Sequence, residues 1–573
     1  MQIKIQHKTI KGEQRPFILA RDAPELTGYK TTESGIQYAP LRPEYRQRLV
    51  IEGGMSLDDL PDWTTGYNWQ APPNIKPYVH QKITTEFMIK HHRMWILNKM
   101  RSGKTLSTIW AIHRMFCMGV INKVVIAAPL SIVRSVWQRE LHMVMPNRSV
   151  YIADESIEHL YNQLLYNDKL QIVIMNHDKL RHIDETLDQW GFNLMVVDEA
   201  GGFRAIESDR VNSLHYVMVD GFNTTHRKDR RFITLTATPV PQSPMDIWRL
   251  GKMINPELFP STMTEYRDRV MHAVTIPKKK GQPLPPKGTP AYRRATVKVH
   301  KPRQNVDNYI RSLIQPAILF RTEDCLDMPR LGYTTRPINY TSAQARALKA
   351  MEKDHTALIK DLDSGMLEEV VAANAAVAVS KYLQICGGVI IDNQGEKKIV
   401  GAKQRLEAIT AIADEIGPDE KFIIFCSFTN VQDYIGNGLR KHGIESLFLR
   451  GKMTGRERAR SVTAFMEDDV HRCIIVHPEV GKYGLNLSRA NTKIWYTPVF
   501  SCDQYVQGNA RFMKPLDPNE NADKQAKTIV RLSGGPKEDE LYDRLLNKEA
   551  RQDNIIETFR RLVSSKDKLS NAS

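Results

Sequence analysis

A rhythm of short, nearly continuous apolar runs, present twice, limits what this chain can fold into. The first series reads "NKVVIAAP" (122–129), "LQIVIMNH" (170–177), "FNLMVVDEA" (192–200) and "RFITLTATP" (231–239). The second reads "KFIIFCSF" (421–428), "ESLFLRGKM" (445–453), "RCIIVHP" (472–478), "TKIWYTPV" (492–499) and "KTIVRLSGG" (527–535). Runs of this length, rich in β-branched residues and separated by helical patterns, read as strands buried on both faces. Such strands belong to parallel sheets covered by helices. The expected class is α/β, with two sheets in tandem.

What lies around the two series is less regular. Residues 277–303 hold nine Lys/Arg, six prolines and no Asp or Glu, which predicts a flexible, basic surface insertion. A helical region opens at "TSAQARALKAM" (341–351), with Thr341 or Ser342 as its cap, and stops near Gly387-Gly388. Residues 1–70 carry turn signals such as "IEGG" and "DLPDW" but no motif. The closing "SSKDKLSNAS" is polar and predicts disorder.

Composition narrows the function classes. The formal net charge is +16 and the pI about 9.3, a bias that favours a polyanionic partner such as nucleic acid. Six scattered cysteines (Cys117, Cys325, Cys386, Cys426, Cys473, Cys502) include no Cys-x-x-Cys pair. This argues against a disulfide framework or a zinc module and for a reducing compartment. No apolar run approaches the ~18 residues of a membrane span, and the first residues show no secretion signal. A cytoplasmic protein, monomeric and without a membrane partner, is expected.

One tripeptide carries chemistry. Gly103-Lys104-Thr105 follows the apolar "MWILNKM" and opens the helical pattern "LSTIWAIHRMF", which ends at Gly119. Strand, turn and helix start form the context of a phosphate-binding loop, where backbone N–H groups and the helix dipole meet the phosphates. Lys104 would reach the β/γ-phosphates and Thr105 would place its hydroxyl on Mg²⁺. Asp198 ends another apolar run and would hold the same metal, with Glu199 beside it to polarise water. The full loop signature has a glycine where this chain has Asn98.

In sequence order, these motifs resemble the Snf-type double-stranded DNA translocases of helicase superfamily two, a family of chromatin remodellers and fork-remodelling enzymes. The resemblance runs from about residue 71 to 550. "IKPYVHQKITTEFM" is similar to the family's opening Pro-Tyr-Gln motif, "NKMRSGKT" to "DEMGLGKT", and "VVIAAPLSIVRSVWQRE" to its Pro…Trp…Glu segment. "VVDEAGGFRAIESD" stands at the Asp-Glu-Ala-His box, and "LTATPVPQSPMDIWRL" and "LFRTEDCLDMPRL" match later motifs. "FIIFCSFTN", "FLRGKMTGRERARSVTAF", "GKYGLNLSRANTKIWYTPVFSCDQYVQGNARFMK" and "LSGGPKEDELYDRLLNKEARQDNI" resemble the second half.

The resemblance implies two RecA-like lobes, parallel sheets flanked by helices, with helical insertions and a small N-terminal accessory region. The division it suggests is 1–70 accessory, 71–325 first lobe with the 277–303 insertion, 326–420 helical inter-lobe region, 421–560 second lobe, and 561–573 tail. The cofactors would be ATP and Mg²⁺, with ATP trapped between the lobes. Gln81 would read adenine, and Asn98, Met100, Arg101, Ser102, Gly103, Lys104 and Thr105 would form the loop. Gly484 and Gln507 would join them, and Asp198 would help Thr105 hold the metal. Catalysis would rest on Lys104, Asp198, Glu199, Arg511 and Lys514. DNA contact or coupling would fall to Ser131, Thr236, Thr238, Thr429, Arg450, Lys452 and Asn486.

Four positions depart from the family. Asn98 stands where the family has aspartate, Arg101 where it has glycine, Gly201 in place of the box histidine, and Lys514 in place of the second arginine of the final motif. Lysine lacks the rigid two-pronged fork of arginine, so either Lys514 works less well or Arg511 carries more of the task. The implied activity is an ATP-dependent motor that moves on double-stranded or branched DNA and remodels it or strips proteins from it. A strand-separating or branch-migrating helicase with the same engine is the near alternative. A catalytically weak DNA-binding scaffold is the distant one.

Overall fold

A computed structural model describes residues 2–10, 13–21, 27–41, 45, 48–49, 52–54, 62–69, 75–153, 156–203, 208–221, 230–237, 239, 243–277, 285–304, 306–349, 380–391, 397–399, 401–481, 485–499, 501–517, 521–522 and 525–546. Thr238, Gly484, most of the helical region predicted over 341–388 and the tail 561–573 lie outside these residues.

The chain opens with a four-stranded antiparallel sheet: β1 (Gln2–Ile10), β2 (Glu13–Arg21), β3 (Lys30–Thr31) and β4 (Gln37–Pro40), in the order β1-β2-β4-β3. It alternates as a one-sided sheet should: Ile3, Ile5 and His7 are half-buried while Lys4, Gln6 and Lys8 are exposed. Ile18 and Ala20 of β2 share one apolar core with Ile109, Trp110 and Ile112 of the helix that follows the phosphate loop. The region without a readable motif is thus a sheet laid on the first lobe.

The first parallel sheet contains β5 (Arg93–Ile96), β6 (Val124–Ala128), β7 (Val150–Ala153), β8 (Ile172–Asn176), β9 (Leu194–Asp198) and β10 (Arg231–Leu235). An antiparallel ribbon intervenes, β11 (Met271–Pro277) paired with β12 (Thr296–Pro302), before β13 (Ala317–Ile318) completes the sheet in the order β13-β5-β10-β9-β6-β8-β7. The five-residue strands β6, β9 and β10 are buried at every position, so no alternation marks them.

The second sheet is also all parallel, in the order β14-β21-β20-β17-β19-β18. It takes β14 (Leu331–Pro337) from the stretch expected to be helical, which also holds a small hairpin, β15 (Val389–Ile391) with β16 (Lys397–Ile399). The remaining strands are β17 (Phe422–Phe425), β18 (Glu445–Leu449), β19 (His471–Val476), β20 (Thr492–Trp495) and β21 (Lys527–Ser533). Alternate side chains feed two cores. Phe422 and Ile424 pack with Ile409 and Ile435 on one face, and Ile423 and Phe425 pack with Phe465 and Tyr505 on the other. A sheet covered on both faces is the RecA-like architecture expected from the two series.

Two compact units result: Met1–Pro239 with Arg249–Leu258 and Ile314–Cys325, and Val240–Trp248 with Phe259–Leu313 and the remainder from Leu326. The predicted flexible insertion is in part this ordered β11–β12 ribbon, with a helix over Pro290–Ala295. The ribbon groups with the second unit. Seven-residue pairing supplies the backbone hydrogen bonds that its proline-rich composition obscured.

Candidate nucleotide site and DNA-facing edges

Parallel α/β sheets bind ligands at the carboxyl ends of their strands. In the first unit that edge collects the predicted nucleotide residues. The loop after β5 runs into the helix Lys104–Cys117, whose cap, Gly103, has φ 74°. A side chain at Gly103 would be strained, and its Cβ would collide with the Gln81 side-chain amide. Gln81 is itself fixed, because its Oε1 accepts from the Tyr78 N–H at 2.9 Å. The loop and the proposed adenine reader therefore touch where only glycine fits.

Asn98 clamps the loop. Its Nδ2 donates to Thr84 Oγ1 at 2.8 Å, and its Oδ1 accepts from the Phe320 N–H at 2.9 Å. Met100 is held through its carbonyl by the Thr322 hydroxyl at 2.7 Å, and Ser102 through its carbonyl by His80 Nε2 at 2.9 Å. Asn98 is 1 % exposed, so it braces the cradle from beneath rather than facing a ligand. The Lys104 ammonium donates to the Asn98 and Lys99 carbonyls at 2.8 and 3.1 Å. Thr105 is half-buried in the first turn of the helix. Arg101 has φ 63°, a left-handed backbone that glycine would adopt without strain.

The acids sit at the end of β9. Asp198 Oδ2 accepts from the Trp137 indole N–H at 2.9 Å, and its Oδ1 accepts from the Glu199 N–H at 2.9 Å. Both oxygens are thereby oriented. Glu199 leaves the strand with φ 51°, so the two carboxylates diverge at a strained turn. His177 Nε2 donates to the Asp198 carbonyl at 2.8 Å, and full burial pushes its pKa down to about 4. Burial raises the Glu140 carboxyl to about 7, with the Asp198 charge adding to the effect. Residue spacing gave no hint of Trp137, Glu140 or His177 as partners of Asp198. They lie on other elements, and only the quoted "SVWQRE" segment marks two of them.

Ser131 and Thr236 also lie at this edge, after β6 and β10. The Thr236 N–H donates to the Ile96 carbonyl at 3.0 Å, which ties the end of β10 to the start of the phosphate loop. That geometry suits a residue coupling two faces of a lobe better than one reaching out to DNA.

In the second unit Thr429 begins the helix after β17, Arg450 and Lys452 follow β18, and Asn486 lies between β19 and β20. Arg450 pairs with Asp433 at 2.6 Å and lies over the Phe448 ring at 4.2 Å. Gln507 is on the helix Cys502–Ala510, and Arg511 caps its end. The Arg511 carbonyl accepts from the Leu487 N–H at 3.1 Å, which joins the "GLNL" segment to the "QGNAR" segment. Lys514 is half-buried three residues on. Beneath this helix Lys493 is fully buried, donating to Asn509 Oδ1 at 3.0 Å with its ammonium 3.9 Å from the Phe425 ring centroid. Burial holds its pKa well below the usual lysine value.

Comparison with known proteins agrees with this arrangement. A putative protein, p41, from Acyrthosiphon pisum secondary endosymbiont phage 1 is 24 % identical over 453 residues, covering 75 % of this chain and 87 % of the phage protein. The mouse DNA repair and recombination protein RAD54B is 18 % identical over 497 residues, 81 % of this chain but 54 % of its own length. This chain thus spans about half of that relative. Among solved structures, the Sulfolobus solfataricus SWI2/SNF2 ATPase core in complex with dsDNA matches at 19 % identity and a TM-score of 0.35, over 85 % of this chain and 95 % of that one. The SNF2-related domain matches residues 80–387, more than half of the chain, and the helicase conserved C-terminal domain matches residues 404–514. The chain belongs to the SNF2-related family, and its two sheets form that family's helicase-type ATPase core.

Proposed function

We propose that this protein hydrolyses ATP to move along duplex DNA and to remodel DNA or protein–DNA complexes. The observation that carries the reading is the first carboxyl edge. A glycine that no other residue could replace, a lysine at a helix start and an oriented aspartate converge there on the space a nucleotide triphosphate needs. Gly103 and the surrounding loop N–H groups would cradle the phosphates, Lys104 would leave its carbonyl partners for them, and Gln81 would meet the base. Thr105 and Asp198 would hold Mg²⁺, whose charge offsets that of the phosphate oxygens. Glu199 would polarise the attacking water. Arg511 and Lys514 are the second unit's candidates for neutralising charge on the γ-phosphate.

Thr429, Arg450, Lys452 and Asn486 suit contact with phosphates of any sequence, and Ser131 and Thr236 suit the matching role in the first unit. Domain limits of 71–325 and 421–560 for the two lobes fit this division of labour. The nearest alternative is strand separation, favoured by one observation: the antiparallel β11–β12 ribbon has the form of a wedge. The phage relative makes a bacterial host cytoplasm the compartment to test. No helix among the described residues is long and apolar enough to cross a membrane.

The test is ATP hydrolysis with and without duplex DNA, for the wild type and Lys104→Ala. Stimulation by duplex in the wild type only is expected; equal rates in all four samples would reject the motor. Unwinding of forks without duplex stimulation would favour strand separation.

A further inference from the structure

The outward face of the N-terminal sheet is chemically unlike the rest of the first unit's surface. Register places Lys4, Leu19, Tyr38 and Lys30 in one row across all four strands, on the side away from Ile18 and Ala20. The next rows bring Gln6 beside Phe17 and Gln2 beside Arg21. Lys4, Lys8, Arg21 and Lys30 are exposed, and Phe17 and Tyr38 are half-buried between them. The two rings lie 6.4 Å apart, and the Lys8 ammonium sits 4.7 Å from the Tyr38 ring and 5.6 Å from the Phe17 ring. The one carboxylate that register assigns to this side, Glu13, is at the hairpin end opposite Ile10.

We propose that this face binds single-stranded DNA, with unpaired bases stacked on Tyr38 and Phe17 and phosphates paired with Lys4, Lys8, Arg21 and Lys30. Clustered cations meet a polyanion by charge complementarity. Aromatic ring faces among them add a contact that duplex DNA, with its bases already stacked, cannot use. Lys8 shows how the two parts combine, because one ammonium already rests on both rings and can exchange that contact for a phosphate. The sheet is continuous with the core under the phosphate loop, so strand capture here reports to the ATP-binding unit. The inference deepens the reading of DNA as partner but does not need ATP turnover.

The experiment measures fluorescence anisotropy of a labelled oligothymidine and of a blunt duplex with the full chain, without nucleotide. Tyr38→Ala is expected to weaken oligothymidine binding roughly tenfold and duplex binding about twofold or less. Lys4→Ala/Lys8→Ala, at exposed positions that leave the sheet folded, is expected to reduce the log–log salt slope for oligothymidine by about 1.4. Unchanged oligothymidine affinity and slope in both variants would overturn the proposal. So would equal losses of oligothymidine and polyglutamate binding, which would mean that the face is an acidic-protein site. Lys104→Ala is expected to abolish ATPase while keeping the Tyr38-dependent difference, so failure of the motor reading and failure of this one appear in different measurements.

Discussion

The carboxyl edges of the two sheets follow one design but are held differently. At the first edge the key groups are buried and tied: Asn98 by Thr84 and Phe320, Asp198 by Trp137 and Glu199, Thr236 by Ile96. At the second edge Thr429, Lys452 and Asn486 are exposed, and Arg450 answers to a half-exposed Asp433. The difference fits their proposed ligands. A nucleotide has one shape and rewards a rigid mould, whereas a DNA backbone that must be gripped and released needs side chains that can let go.

That contrast predicts, first, unequal sensitivity to acid. In the first unit burial lowers both His113 and His177 to about 4. A base with a depressed folded pKa costs stability as pH falls from its ordinary 6.5 towards 4, by about 3 kcal/mol per group. Glu140 works in the opposite sense, because its raised carboxyl takes up a proton in the folded state between about 7 and its ordinary 4.5. Urea unfolding should therefore show acid weakening of the first unit that is smaller in His113→Gln and steeper in Glu140→Gln. Parallel curves for all three proteins would break the comparison.

Next in size, Trp137→Phe removes the hydrogen bond that orients Asp198. A hydrogen bond to a charged group contributes about 1.5–3 kcal/mol, so kcat should drop roughly ten- to a hundredfold while KM for ATP changes little. An unchanged kcat would mean that the first edge is not the mould described here. Arg101→Gly should stabilise the first unit by up to about 1 kcal/mol through relief of the left-handed backbone. If the cation also serves the nucleotide, KM for ATP will rise in the same variant. Smallest in stability, Arg450→Ala should cost about 0.5 kcal/mol or less and lower the duplex salt slope by about 0.9. A loss of several kcal/mol would show the second edge to be as rigid as the first.

The strands that pack on both faces were legible because burial leaves apolar runs: β6, β8, β9, β10, β17, β18, β19, β20 and β21 all fall within quoted segments. β14 was not legible. Its "LGYTTRP" is mostly exposed at a sheet edge and carries little apolar signal. The N-terminal sheet escaped for a related reason, since its alternation mixes Lys with Ile and resembles a solvated stretch until its partner strands are known. Of the site, Gly103, Lys104, Asp198 and Glu199 were readable from local order. The bracing by Trp137, His177 and Phe320 was not, because each partner arrives from a distant part of the chain. Thr341 rather than Ser342 caps its helix, with its Oγ1 accepting from the Gln344 N–H at 3.2 Å.

The Asn98 clamp has a consequence for synthesis. Its partner Phe320 is 222 residues downstream, and Thr322 closes on Met100 across the same span. The helix after the phosphate loop can form early on the ribosome, but the loop's floor is laid only when residues near 320 emerge. Between those moments the nascent chain holds a glycine-rich turn without its brace. ATP can act then as a folding ligand, binding as the floor closes and drawing the first unit to completion.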